Sequence, residues 1–442
     1  MKKKGYKNAL LGLLIVLIIS GCGNGNVQSG SETADSGNNI SADMSDNSRE
    51  DRQTEEKTAE EITEPDQKAL LPALETAYLT DEMYAEATAF AEGNLSRLAK
   101  AMRKAENGEK ITVAVIGGSI TEGYSASSKA GSWAALFYQW WTECFPDAEI
   151  NYVNAGVGGT SSYLGVHRVQ EDVLDHNPDV VVVEFSVNDQ TGFFHKKSYD
   201  NLVRRILKSS QDTAVILLFT TQENGTSAQG DHALIGFRYQ LPMLSYGNAV
   251  LSAIEAGELK WSDISPDNIH PNDKGHAVIG EIFYRYLNGV YERLDELSAK
   301  TEAFTESPVT KETYQNAELL CAGEIEPISY GSFEKKQVNW YFTDNWHTES
   351  GEEALVFEVE ASHIGLVYQR EVNKGYGKFD IYVDGTAVRT LDGDFANGWG
   401  SATEAVEIYA SDETAVHTIE IRKNPDSEGE VFTLVGVLVS QM

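Results

Sequence analysis

Between residues 111 and 294 short apolar runs alternate with segments of helical spacing, and that order leaves few architectures open. Ile111-Thr112-Val113-Ala114-Val115-Ile116 is a β-branched run that stops at Gly117-Gly118. Trp133 to Phe145 has the spacing of an amphipathic helix. Ile150 to Val153 is a second strand, ending at Asn154. Val180 to Phe185 is nearly all apolar, the pattern of a central parallel strand buried on both faces. Tyr199 to Ser210 reads as a helix, Ala214 to Phe219 as a fourth strand and Leu241 to Leu244 as a fifth. Lys274 to Leu294 closes the unit with a helix. Strands and helices in this order predict a parallel sheet covered by helices.

The flanks are different. Ala69 to about Glu106 has helical spacing (Leu70, Leu71, Leu74, Tyr78, then Leu95, Leu98, Met102), predicting one or two helices packed on the sheet domain. Near Leu297 to Glu312 the pattern changes to short strands and turns: Val338 to Phe342, Ala354 to Val359, Ile364 to Tyr368, Phe379 to Val383, Val406 to Tyr409, His417 to Ile421 and Phe432 to Val439. Asp384-Gly385 marks a hairpin. Residues 303–442 are therefore expected to form a separate, jelly-roll-like β-sandwich, after an α/β domain at 68–297.

At the N-terminus Lys2, Lys3, Lys4 and Lys7 precede an apolar stretch from Ala9 to Ile19, too short to span a bilayer comfortably. It ends in Ile19-Ser20-Gly21-Cys22, which resembles the lipobox of bacterial lipoproteins, where the cysteine is lipidated and becomes the first mature residue. Residues 1–22 are thus expected to be a lipoprotein signal, with anchoring through Cys22 to the extracytoplasmic face of the cell membrane. Residues 23–67 are polar and acidic, too poor in apolar groups to offset chain ordering, and read as a disordered linker. The chain carries 68 acidic against 35 basic side chains, a formal net charge of -33, which disfavours nucleic acid as a partner. The other two cysteines, Cys144 and Cys321, fall in different predicted domains and are expected to be core thiols rather than a disulfide. No metal-ligand cysteine spacing occurs.

Four short segments carry chemistry. Gly117-Gly118-Ser119 follows the first strand, where glycines allow a tight turn and expose a serine at the carboxyl end of the sheet. It is not a Gly-x-Ser-x-Gly elbow, because Thr121 stands where the last glycine would be. Asn154-Ala155-Gly156-Val157-Gly158-Gly159-Thr160 follows the second strand; Ser161 at the third glycine position argues against a dinucleotide loop, and such glycines can aim an N–H at an oxyanion. Ser186-Val187-Asn188-Asp189 ends the central strand with an amide. Asp267-Asn268-Ile269-His270-Pro271-Asn272 places a carboxylate three residues before an imidazole. A metal set of Asp267, His270, Asp273 and His276 lacks helical His-x-x-x-His spacing, so no metal is expected. Each segment alone has a plain reading as a turn or helix cap. Serine, imidazole and carboxylate together are what nucleophilic ester hydrolysis needs.

The four segments, in this order and each at a strand end or following loop, resemble the SGNH (GDSL-type) hydrolase family over roughly Thr112 to Leu294. Its blocks match Ser119, Gly159, Asn188 and His270, with its aspartate at Asp267. Two departures stand out: Gly-Asp-Ser reads Gly117-Gly118-Ser119, and Gly-x-Asn-Asp reads Ser186-Val187-Asn188-Asp189. The resemblance implies a flavodoxin-like three-layer α/β/α sandwich and a serine esterase needing no cofactor. It further implies Ser119 as nucleophile, His270 as general base, Asp267 as its orienting carboxylate, and an oxyanion hole of the Ser119 and Gly159 N–H groups with the Asn188 amide.

Export, the appended sandwich and its aromatics (Trp340, Tyr341, Trp346, Trp399) favour an acylated carbohydrate as substrate, with acetyl the expected acyl group. A lipase reading would use Phe193, Phe194, Phe237 and Tyr239 as an apolar surface. Acyl transfer to a sugar uses the same residues, and a non-catalytic surface carbohydrate-binding protein is the rival from another class.

Overall fold

The computed structural model describes residues 71–372 and 374–441, so the expected signal, linker and lipidated Cys22 lie outside the described residues. These residues fall in one compact unit, Lys68–Met442. Two short helices lead in, α1 (Asp81–Ala87) and α2 (Ser96–Glu106). The α/β part then runs β1 (Ile111–Gly117), α3 (Ser119–Glu122), α4 (Trp133–Cys144), β2 (Ile150–Gly156), α5 (Ser162–Asp172) and β3 (Val180–Glu184). It continues with α6 (Phe193–Ser209), β4 (Ala214–Phe219), α7 (Gln229–Tyr239), β5 (Met243–Ser245), α8 (Tyr246–Glu255), α9 (Trp261–Ile264) and α10 (Asp273–Glu292). The sheet order is β2-β1-β3-β4-β5, all neighbours parallel. That is the flavodoxin-like order, whose switch point lies between β1 and β3 at their carboxyl ends.

Period-two alternation splits the strands between two layers. Val113, Val115, Val180 and Val182 pack with Leu98, Phe137, Ala249 and Ile282 from α2, α4, α8 and α10. Ala114, Ile116, Val181 and Val183 pack with Tyr163, Leu202 and Ile235 from α5, α6 and α7. Every residue of β3 is buried, as expected for a strand covered on both sides. The fifth strand starts two residues later than its apolar run. Gln240 adopts left-handed backbone (φ 52°) to end α7, and the Leu241 N–H still bonds back to the Gly236 carbonyl. Apolar spacing alone does not assign the segments that form α5, α7 and α8.

The C-terminal part contains β6 (Glu318–Leu320), β7 (Glu334–Lys336), β8 (Asn345–Thr348), β9 (Leu355–Arg370), β10 (Lys378–Val383), β11 (Thr386–Asp392), β12 (Ala402–Lys423) and β13 (Phe432–Ser440). Their order is β11-β10-β12-β9-β13-β8-β7, all antiparallel, with β6 also on β13. Three expectations change here. Ala354–Val359 and Ile364–Tyr368 are one strand, β9, because the ladder continues through the polar residues between them. Val406–Tyr409 and His417–Ile421 are likewise one strand, β12, irregular at Glu407/Tyr409 and Ala410/Ala415. Val338–Phe342 is not a strand. Asn345 Oδ1 accepts the N–H groups of Val338 and Asn339, and Asn339 Oδ1 accepts those of Tyr341 and Phe342. Side-chain amides have taken the donors a ladder would need.

β13 is buried at every position. Leu434, Val437 and Val439 face the β-domain core, while Val435 and Leu438 join the α5–α6 layer with Tyr163, Tyr314 and Val367. Gly365 permits this contact: a Cβ there would lie 2.3 Å from the Tyr163 hydroxyl. The connector from 297 to 317 is also tied down, since Arg204 donates to the Glu306 carbonyl and Asp200 accepts from the Thr310 N–H and hydroxyl.

Candidate active site

Ser119 opens α3 directly after β1, with Gly118 as its extended N-cap. A Cβ on Gly118 would stand 2.1 Å from Asn188 Oδ1. This accounts for glycine at the first departure: the Asn188 amide occupies the space. The second departure also has a use here. The Ser186 hydroxyl oxygen accepts the Thr220 N–H at 2.7 Å, tying the end of β3 to that of β4. Asn188 Oδ1 is buried without a hydrogen-bond partner among the described residues.

The loop after β2 runs beside the serine. A Cβ on Gly158 would lie 3.7 Å from that of Ser119, and the Gly158 N–H donates to Glu122 Oε2 at 2.8 Å. Gly159, the next residue, has φ +71°, a conformation that favours glycine. Gly156 is required too: a Cβ there would meet the Glu122 nitrogen at 2.3 Å, so α3 could not approach β2. Burial pushes the Glu122 carboxyl above its ordinary value, against the pull of the Gly158 N–H and Lys129.

The loop between α9 and α10 supplies the other groups. His270 Nε2 lies 3.0 Å from Ser119 Oγ, and its Nδ1 lies 2.8 Å from Asp267 Oδ2. Asp267 Oδ1 accepts the N–H groups of Ile269 and His270, both at 2.7 Å. Burial raises the Asp267 carboxyl, but the His270 and Ile269 hydrogen bonds together outweigh it and hold the pKa below the ordinary value. Trp261 Nε1 donates to the Asp267 carbonyl at 2.6 Å, and the Asn272 N–H to the Ile264 carbonyl at 2.8 Å. The ring of Tyr124 packs on His270 with centroids 4.4 Å apart. Ser119, Asp267 and His270 thus meet at the carboxyl end of the sheet, beside the switch point, with Asn188 against Gly118 and the Gly158–Gly159 loop alongside.

His276 is committed elsewhere. It accepts the Trp133 N–H at Nδ1 (3.3 Å), and its Nε2 faces the Tyr124 carbonyl at 3.1 Å. Among the described residues no cluster of three or more His, Cys, Asp or Glu is disposed to hold a metal. Cys144 and Cys321 are free, and burial pushes their thiols up to about 12 and about 11. Of the four β-domain aromatics, Trp340 and Trp399 are 69% and 79% exposed, Tyr341 is half-buried and Trp346 is buried. Of the four residues weighed for a lipase surface, Tyr239 is buried and Phe194 packs on Tyr163, whereas Phe193 and Phe237 are exposed.

Several residues at or near the site carried no sequence signal. They are Glu122 against the Gly158 loop, the buried Glu184, and His232, the partner of Asp189. Beside α3 lies a cleft of about 560 Å³ bordered by Glu122, Tyr124, Lys129 and Tyr152 from the α/β part, and by Trp340 and Tyr341 from the β-domain. A serine hydroxyl facing an imidazole, itself backed by a carboxylate, can do acyl-transfer chemistry without a cofactor.

Residues 115–278 match the GDSL-like Lipase/Acylhydrolase family. Thioesterase 1/protease 1/lysophospholipase L1 of Escherichia coli (strain K12) is 24% identical over 184 residues, covering 40% of this chain and 83% of that protein. A two-domain esterase (CEX) active on acetylated mannans is 31% identical with a TM-score of 0.74, covering 81% of this chain and 98% of the other. Its structure co-crystallised with mannopentaose aligns equally well, with a TM-score of 0.73. With that identity across nearly the whole of a two-domain relative, the chain belongs to the GDSL-like lipase/acylhydrolase family and is a serine ester hydrolase.

Proposed function

We propose that this enzyme removes acetyl groups from carbohydrate outside the cell, with Ser119 as nucleophile. The 3.0 Å approach of Ser119 Oγ to His270 Nε2 carries the assignment. Ser119 Oγ attacks the acyl carbonyl carbon as its proton passes to His270. Asp267 fixes the ring and stabilises the imidazolium. The tetrahedral oxyanion is met by the Ser119 N–H, the Gly159 N–H and the Asn188 amide, each donor contributing about 3 kcal/mol in the transition state. The bond to the leaving alcohol breaks and His270 returns the proton to the alcohol oxygen. Water, giving a proton to His270, then attacks the acyl-serine; the bond from the acyl carbon to Ser119 Oγ breaks, His270 returns the proton to that oxygen, and the acid leaves.

Two observations support carbohydrate. A 31% identical relative acts on acetylated mannans. The exposed indole of Trp340 borders the cleft beside α3, which it shares with Tyr124, the ring packed on His270, as an apolar platform for a sugar ring would. Ser119→Ala should abolish hydrolysis of both a small acetyl ester and an acetylated mannan; turnover by that variant excludes Ser119. Trp340→Ala should raise KM on the polysaccharide and leave the small ester unaffected. A rise in activity along an acyl chain series would point to a lipase instead. Anchoring through Cys22 rests on the lipobox-like Ile19-Ser20-Gly21-Cys22. Fatty-acid labelling of the full chain should disappear in Cys22→Ala, and persistent labelling rejects that site.

A further inference from the structure

We propose that Asp189 and His232 form a positioning pair that holds the two loop arms of the oxyanion hole in register. The inference rests on the site assignment above and extends it to residues that touch no substrate.

Asp189 directly follows Asn188, on the arm after β3. Its Oδ1 accepts the Ser162 N–H at 2.9 Å. Ser162 begins α5, three residues after Gly159, on the arm after β2. The N-cap residue Ser161 makes no side-chain cap bond. The cap of α5 is therefore supplied by Asp189 from the neighbouring arm, where a negative group also meets the positive end of the helix. One carboxylate thus joins the segment bearing Gly159 to the segment bearing Asn188.

A carboxylate in that place needs a second partner. The Asp189 side chain is fully buried, and its Oδ2 lies 3.0 Å from His232 Nε2 on α7. His232 is itself buried and lies flat on Tyr199, with centroids 3.5 Å apart and planes 4° apart. Its Nδ1 is buried without a partner among the described residues. The neutral ring with its proton on Nε2 satisfies this arrangement, because it donates to Asp189 and leaves only a lone pair unmatched. An imidazolium would bury an orphan N–H. Loss of the imidazole would strand a buried carboxylate, which would then turn away to find another partner, and the link between the arms would slacken.

The test measures kcat and KM on a small acetyl ester for Asp189→Ala, His232→Leu and His232→Gln, each alone and with Asn188→Ala. Asp189→Ala and His232→Leu should each lower kcat roughly 10- to 100-fold with KM held within about threefold, as for loss of oxyanion stabilisation. His232→Gln, whose amide can donate to the same carboxylate, should recover most of that loss. With Asn188→Ala present, the further loss should shrink to about threefold or less, because the residues act through one another. Unchanged kcat in His232→Leu, no recovery with glutamine, or full additivity with Asn188→Ala would each overturn the pair. If Asp189→Ala does not fold, the two His232 variants carry the test, since they keep the α5 cap. Ser119→Ala is measured alongside: turnover there defeats the site assignment, whereas an inactive Ser119→Ala beside a normal His232→Leu defeats the positioning pair alone.

Discussion

Asp267 and Glu184 are both carboxylates at the carboxyl end of the sheet, and their surroundings push them in opposite directions. Asp267 collects two backbone N–H bonds and the imidazole, so it stays ionised into acid. Glu184 is fully buried and, among the described residues, its side-chain donors are the Thr121 hydroxyl at 3.0 Å and the Thr220 hydroxyl at 2.7 Å. Burial dominates and raises its pKa to about 7. A carboxyl with a raised folded-state pKa stabilises the fold fully below its unfolded value, and that stability is lost as pH climbs through the folded value. Between pH 4.5 and about 7, Glu184 should therefore cost the fold up to about 3 kcal/mol. Urea unfolding at both ends of this window should show that slope in the native chain and lose most of it in Glu184→Gln. Residue types and spacing pointed to Ser119, Asp267 and His270 because their chemistry is local in kind. Glu122, Asp189 and His232 act through partners 36, 27 and 43 residues away, which spacing does not encode.

At the scale of elements, α10 aims the imidazole. Asn272 caps it by accepting the Gly275 N–H at 3.1 Å, two residues after His270. Its own N–H holds the loop to the Ile264 carbonyl. Asn272→Ala should cost about 1 kcal/mol in urea unfolding and lower kcat, while Asn272→Ser should restore stability. The strands show which element signals survive folding. β3 was legible because both of its faces are covered, giving an unbroken apolar run. Polar residues interrupt the apolar patterns of β9 and β12 and split each in two in sequence, yet antiparallel bonding depends on backbone and passes through them. β7 carried no signal, since all three of its residues are exposed.

Across the whole molecule, the β-domain packs on the enzyme body. Tyr163 and Tyr314 are buried together with Val435 and Leu438. Tyr314 also donates to Glu407 at 2.6 Å, and Arg205 to the Ala317 carbonyl at 2.6 Å. Removing residues 303–442 would expose this apolar layer. The shortened protein should aggregate or melt well below the full chain, seen by scanning calorimetry and dye binding, and an unchanged melting temperature would make the contact incidental. The cleft beside α3 would lose Trp340 and Tyr341 at the same time.

The sequence by itself determined the parallel α/β sheet and the later all-β region, because strand and helix periodicities are local consequences of which faces are buried. It also determined the types of reactive group, since serine, imidazole and carboxylate chemistry belongs to the side chains. Only the tertiary structure decided which imidazole meets Asp189, which amide fills the space at Gly118, and which β-domain aromatic borders the cleft. Those choices depend on distances between segments far apart along the chain, and no local pattern holds such distances.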